Sequence, residues 1–190
     1  MLVHAAGSGT GRMVAQVAQN VFGARVIGTC STKKVSNVPL PAAQIVDYTK
    51  TEDLDSRLKD LTSDKKGFHV VFDGVGKTTY MTSLNVTRPR GLVAYFGNAS
   101  GPVPPIDPLI LSNKGSLFIT RPKLHDYAST AEEVNKRATD VFEWTRTGKL
   151  SVPIDKEFTG LESIDEALNY IQGGHASGKV VVSLGNKERL

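Results

Sequence analysis

The chain has 190 residues, of which 39% are hydrophobic and 22% charged, which excludes global disorder and suits one domain or one domain with part of another. Its 23 basic and 19 acidic residues leave a formal charge of +4, yet the cations are scattered. The densest groups, Lys33–Lys34 and Lys65–Lys66, are pairs rather than the stripe nucleic acid requires, so no nucleic-acid partner is expected. No apolar run approaches the roughly 20 residues of a membrane span, and no secretory leader follows Met1. A single cysteine, Cys30, excludes a disulfide framework and a multi-cysteine zinc site; the expected setting is cytoplasmic, with no membrane.

In chain order, Leu2–Ala6 reads as a short apolar strand running into Gly7-Ser8-Gly9-Thr10-Gly11. Met13, Val14, Val17, Ala18 and Val21 then recur at helical spacing, and Gly23 stops that helix. Ala24–Cys30 and Gln44–Tyr48 predict the second and third strands, with a helix over Thr51–Leu61. Phe68–Val75 predicts a fourth strand, Thr78–Val86 a helix and Leu92–Gly97 a fifth strand. A loop carrying Pro102, Pro104, Pro105 and Pro108 leads to a sixth strand at Gly115–Arg121. These strands are apolar on both faces, the pattern of a parallel sheet covered by helices on each side. The expected fold class is therefore α/β, a doubly wound parallel (Rossmann) sheet. After Pro122 come an amphipathic helix at Thr130–Thr147, the stretch Leu150–Phe158, a helix at Ile164–Ile171 and a strand at Lys179–Leu184. That tail has too little apolar surface for a core of its own.

In a doubly wound sheet the first βα turn is where a pyrophosphate binds, on free helix N–H groups that glycines leave approachable. Gly7–Gly11 departs from a strict G-x-G-x-x-G, since Arg12 stands at the third glycine, but it lies on that first turn. A dinucleotide is the expected ligand. The second strand ends Gly28-Thr29-Cys30-Ser31-Thr32-Lys33-Lys34, with no acid for the ribose 2′-hydroxyl of NAD. Serine, threonine and lysine there suit a 2′-phosphate, which favours NADPH; a solvated basic turn is the alternative. His4, His69, His125 and His175 show no ligand spacing, so no zinc is expected. His4 reads as a satisfied core imidazole in preference to a catalytic base, Asp73 as a carboxylate that caps the Gly74–Gly76 turn, with facing the cofactor as the alternative, and Cys30 as a small buried hydrophobe. Neither a Ser-His-Asp order nor a Tyr-x-x-x-Lys pair is present, and no catalytic residue is assigned.

Residues 88–103 (RPRGLVAYFGNASGPV) and 114–122 (KGSLFITRP) are more specific. With His4-Ala5-Ala6, Ile45–Tyr48 (IVDY), Phe72–Gly76 (FDGVG) and Gly178–Val182 (GKVVV), they resemble the NADPH-dependent quinone oxidoreductases. These are zeta-crystallin-like, zinc-free members of the medium-chain dehydrogenase/reductase superfamily. The resemblance implies hydride transfer from NADPH to a quinone or enone without metal. It implies that Gly7, Ser8, Gly9, Thr10 and Gly11 hold the pyrophosphate, and that Ser31, Lys33, Lys34 and Tyr48 lie at the adenosine 2′-phosphate. Phe96, Gly97 and Asn98 would border the nicotinamide, with Val75 also in the cofactor set. Homodimers of the family pair sheet edges, here the strand Gly115–Arg121.

The sequence departs from the family in three places. Ser8 stands at the middle glycine of an A-x-x-G-x-x-G turn whose ends are Ala5 and Gly11, and is expected to crowd the phosphates or shift the turn. Val35–Ala43 carries two prolines where the family has a helix, which is expected to loosen the Lys33–Lys34 turn. The family's substrate domain precedes the first residue here, so the chain resembles the C-terminal part only. The expected division is a dinucleotide-binding domain over 1–148 and, over 149–190, the returning segment of the second domain, its apolar face either exposed or covered by another chain. Impaired turnover is expected on that division; a non-catalytic nucleotide-binding or dimerisation module is the alternative.

Overall fold

The computed structural model describes residues 1–174 and 176–184. Its elements are β1 (Leu2–Val3), α1 (Gly9–Gln16, widening into a π-helical turn at Val17–Val21), β2 (Ile27–Cys30), β3 (Ile45–Asp47), α2 (Leu54–Asp60), β4 (Phe68–Asp73) and α3 (Tyr80–Asn85). There follow β5 (Thr87–Tyr95), α4 (Pro108–Asn113), β6 (Phe118–Thr120), α5 (Leu124–Tyr127), α6 (Ala131–Arg146), β7 (Ile154–Thr159), α7 (Ile164–Gln172) and β8 (Lys179–Ser183).

Six strands form one parallel sheet in the order β3-β2-β1-β4-β5-β6. The expected doubly wound α/β fold is therefore present. Side chains alternate across the sheet, so Leu2 joins Leu58, Val71 and Leu84 on one face while Val3 joins Ala15, Ala18 and Val26 on the other. Both apolar layers are covered, which is why the strands read as continuous hydrophobic runs. The strand order reverses between β1 and β4, and a crevice opens there at the strands' C-terminal ends.

β1 and β2 are shorter than the expected Leu2–Ala6 and Ala24–Cys30, and three further differences have local reasons. The fifth strand starts at Thr87 rather than Leu92, because Thr87 pairs with Phe68 before a bulge restores pairing at Val70–Leu92. Arg90 turns that bulge with φ 62°, and a Cβ on Gly91 would lie 2.5 Å from Thr87 Cγ2 and 3.0 Å from the Phe68 carbonyl oxygen. The sixth strand shortens to Phe118–Thr120, since Gly115 and Ser116 both sit at positive φ. The proline loop contains a helix, α4, with Pro108 at its first position and the Asp107 side chain accepting from the Leu109 N–H at 2.9 Å.

β7 and β8 form a separate two-stranded parallel sheet joined through α7. It fastens to the larger sheet by polar contacts: Gln16 exchanges two hydrogen bonds with the Ser151 backbone (3.1 and 2.8 Å), and Asn20 donates to the Lys149 carbonyl at 2.8 Å. Leu161, Ile164, Leu168 and Ile171 are exposed along α7 and the turn before it, so the tail does present an apolar face. Helix α6 begins with a capping box between Thr130 and Glu133 and buries no residue fully; its Trp144 meets Phe22 edge to face at 6.4 Å.

Candidate functional site

The β1–α1 connection is built around one carbonyl. Ala5 adopts φ 52°, its oxygen accepts from the Ser8 N–H at 2.9 Å, and Gly11 packs against it so closely that a Cβ there would lie 2.2 Å away. Gly11 thus supplies the close helix–strand approach that a third glycine usually gives. Ser8 is the N-cap of α1, its hydroxyl accepting from the Gly11 N–H at 3.2 Å. That cap leaves the first-turn N–H groups of Gly9 and Thr10, with the positive end of the helix dipole, available to an anion. Gly7 lies against Lys34, where a Cβ would come within 2.9 Å of the lysine Cβ.

In front of this turn lies a cleft of about 420 Å³, lined by His4, Ala5, Ser8 and Thr10 on one side and by Gly74, Val75 and Phe96–Ala99 on the other. The second wall depends on Asp73, which is fully buried at the end of β4. Its carboxylate accepts from the N–H groups of Val75 (2.8 Å) and Gly76 (3.0 Å) and from the hydroxyls of Thr79 (2.8 Å) and Ser83 (2.7 Å). Asp73 therefore caps the turn and does not face the cleft. Ser100 donates from its hydroxyl to the Val75 carbonyl at 2.8 Å, tying the Phe96–Ser100 loop to that turn. Ser8, Thr10, Val75, Phe96, Gly97 and Asn98, singled out far apart in sequence, share this cleft.

Ser31, Lys33, Lys34 and Tyr48 lie outside the lining, and of these Lys34 packs against Gly7. Thr32–Asn37 forms a 3₁₀ turn, and the Thr32 hydroxyl meets Asp47 at 2.5 Å and Thr49 at 2.7 Å. Hydrogen bonds from Thr32 and Thr49 hold the Asp47 carboxyl below the usual carboxylate range. Asp47 is an acid beside the basic turn that the reading of β2 alone missed; it comes from the adjacent strand, opposite Cys30. Lys33 and Tyr48 are exposed, whereas Lys34 is half-buried and donates to the Ala176 carbonyl at 3.1 Å. Asn37 donates to the Ser177 hydroxyl at 2.9 Å, so residues 176–178 pass beside the turn.

His4 corrects another expectation. It is buried, as read, but only half satisfied: Nδ1 meets the Thr29 hydroxyl at 2.9 Å, while Nε2 has no partner among the described residues. Burial pushes its pKa down, against opposing pulls from Asp73 and Asp55, so the ring is neutral. His69 meets Arg88 at 2.6 Å, His125 is exposed, and His175 lies outside the described residues. Among the described residues no group of three or more His, Cys, Asp or Glu could hold a metal ion. An approachable glycine turn, unpaired helix N–H groups and an orphaned buried nitrogen together fit a dinucleotide.

This sheet order, with its crevice behind a glycine-rich first turn, is the architecture of the dinucleotide-binding half of a dehydrogenase. Residues 9–144 match the family described as zinc-binding dehydrogenase, and the chain belongs to that family. It is similar to the quinone oxidoreductase of Pseudomonas aeruginosa, at 39% identity over 165 residues covering 86% of this chain and 50% of that protein. It is also similar to the 2-haloacrylate reductase of a Burkholderia species, at 35% identity over 185 residues, covering 96% and 54%. Among solved structures, Escherichia coli quinone oxidoreductase complexed with NADPH aligns with a TM-score of 0.87 at 33% identity, covering 96% of this chain and 56% of that one. The chain thus spans about half the length of these relatives. No helix among the described residues is long and apolar enough to cross a membrane.

Proposed function

We propose that this chain is the nucleotide-binding part of an NADPH-dependent oxidoreductase of the quinone reductase type, acting on a small quinone or enone. One observation carries the reading: the capped N-terminus of α1 opens onto a switch-point cleft whose far wall is Val75 and Phe96–Ala99. NADPH, when bound, supplies a hydride to the acceptor. The residues of this chain bind and orient it. The Gly9 and Thr10 N–H groups hold the pyrophosphate, assisted by the helix dipole. Exposed Lys33, with Ser31, Lys34 and Tyr48 around it, meets the 2′-phosphate. Val75, Phe96, Gly97 and Asn98 shape the nicotinamide end and exclude water from one side of it. Residues 1–148 act as the dinucleotide-binding domain and 149–190 as the returning segment of a second domain. The names of the two relatives support an electron-poor conjugated acceptor, and a lone buried cysteine suits the cytoplasm.

Titration of the chain with NADPH and NADH, followed by a quinone-reduction assay, tests this. The Lys33→Ala/Lys34→Ala pair is expected to weaken NADPH by about tenfold while changing NADH little, as loss of charge-assisted bonds to one phosphate should. Equal effects on both would retire the 2′-phosphate assignment. NADPH binding without quinone reduction would reduce the reading to a nucleotide-binding module. A second reading, a homodimer through residues 115–121, is favoured by Phe118 and Ile119, which lie 62% and 39% exposed on the edge strand β6. Ile119→Lys is expected to convert such a dimer to monomer in light scattering.

A further inference from the structure

His4 is the one histidine buried among the described residues, at 1% exposure in the wall of the cleft, and the turn chemistry above makes no use of it. Its ring offers two nitrogens. Nδ1 and the Thr29 hydroxyl share a bond of 2.9 Å, and Thr29, itself 2% exposed, has that single side-chain partner among the described residues. Two tautomers are open to a neutral imidazole. If Nδ1 carried the proton, the Thr29 hydroxyl hydrogen would be left unpaired, and the Nε2 lone pair as well. If Thr29 donates to Nδ1, its hydroxyl hydrogen is used and the only unpaired group is a single N–H on Nε2. Unmade bonds on buried polar groups are costly, so the tautomer is assigned to the second case. The ring is then a neutral donor in search of an acceptor.

The protein offers none: Nε2 has no partner among the described residues. Asp73, the acid nearest in its electrostatic influence, already accepts from Val75, Gly76, Thr79 and Ser83. His4 does, however, line the cleft, together with Ser8 and Thr10. We propose that His4 is a cofactor-positioning residue, its Nε2–H donating to an acceptor oxygen of the dinucleotide in that cleft. The inference rests on the nucleotide-binding reading above and adds a contact that the glycine turn does not supply. A nucleotide suits this donor because its phosphate, ribose and carboxamide oxygens all accept. Because the donor is neutral and buried, the contact fixes position rather than adding charge, and it distinguishes an oxygen-bearing ligand from an apolar one of equal size.

The test reads the ring directly. The full chain is labelled with ¹⁵N-histidine and in its backbone amides, and the His4 ring signals are identified by their loss in His4→Leu. The resting protein is expected to show Nε2 protonated and Nδ1 unprotonated. Saturating NADPH is expected to shift the Nε2–H signal together with the backbone amides of Gly9–Gly11. Amide shifts without any change at His4 would overturn the positioning role while leaving nucleotide binding intact. No shift at either place would overturn both, and a resting Nδ1–H tautomer would overturn the donor assignment on which the role depends. Since His4→Leu strands the Thr29 hydroxyl, affinity is measured in the matched His4→Leu/Thr29→Val protein, which removes both members of the buried pair together. NADPH is expected to bind it about tenfold more weakly. Unchanged affinity in a folded double variant would also sink the proposal.

Discussion

Two βαβ units in this chain share a topology and end in opposite states. In the first, β1-α1-β2, Leu2, Val3 and Ala15 are fully buried and Ile27 is 1% exposed. In the second, β7-α7-β8, Phe158 and Ala167 are buried, but Leu161, Ile164, Leu168 and Ile171 stand 40–65% exposed. Strand pairing does not separate them, since both are parallel, the β7–β8 ladder with one register shift between Ile154 and Lys156. The difference is in the layers. β1 and β2 sit inside a six-stranded sheet with helices on both faces, whereas β7 and β8 have only each other and one helix. Ring contacts partly offset this: Phe158 and Tyr170 meet at 6.1 Å, with the Lys156 ammonium 4.3 Å from the Phe158 ring. A βαβ connection therefore makes a strand pair but not a core.

Truncations give the largest separation between the two units. Ile27→Ala, on the buried strand β2, is expected to cost about 3 kcal/mol in denaturant unfolding, and Leu168→Ala on α7 below about 0.5 kcal/mol. Comparable costs would show that the second unit buries its apolar face in solution. Gly11→Ala comes next: a methyl 2.2 Å from the Ala5 carbonyl oxygen forces backbone apart, for about 2 kcal/mol. Gly9→Ala, with only the Gly178 oxygen at 3.7 Å, should be nearly silent by the same measurement.

A pH effect of about 1 kcal/mol should also fall on the first unit. Burial lowers the folded pKa of His4 from 6.5, with Asp73 and Asp55 pulling the other way. Below that pH the unfolded chain takes up a proton that the folded chain refuses, so stability is lost as pH falls. Unfolding of the His4→Leu/Thr29→Val protein, compared with the parent between pH 7.5 and about 5.5, should lose that component of the slope. An unchanged slope would place the pH dependence elsewhere. Smallest in global terms is Gln16→Ala, which removes both side-chain bonds to Ser151. Global stability should move by about 1 kcal/mol or less, while limited proteolysis near residues 149–152 quickens severalfold. Unaltered cleavage would mean other contacts hold the second unit.

Much of this was legible because the physics involved is local or periodic. Apolar runs buried on both faces announced a covered parallel sheet, and the glycine turn announced α1. The helix α4 was legible in principle, since Asp107-Pro108 is a cap followed by proline at the first helical position, but four prolines in seven residues argued for a loop. The early start of β5 was hidden because Pro89 and Arg90 look like a turn, which they are, inside a bulged strand. At the site, Phe96–Asn98 and Val75 were found from their resemblance, and the geometry brings them together. What could not be read depends on distant partners. Whether His4 is satisfied is decided by Thr29 on the next strand, and Lys34 meets Ala176 across 142 positions. Asp47 reaches the basic turn only through the β2–β3 register.

The bond from Lys34 to the Ala176 carbonyl makes the two units answer to each other. An ammonium carries three protons, so the one given to Ala176 leaves two for the phosphate proposed beside it. A long, mobile side chain is thereby held near its working position before any anion arrives, which lowers the rotamer entropy lost on binding. Thermodynamic linkage requires the benefit to run both ways. By whatever factor the seated tail would tighten the proposed nucleotide, the nucleotide would tighten the seating of the tail, so a unit with little core of its own would gain order from a ligand bound beside it.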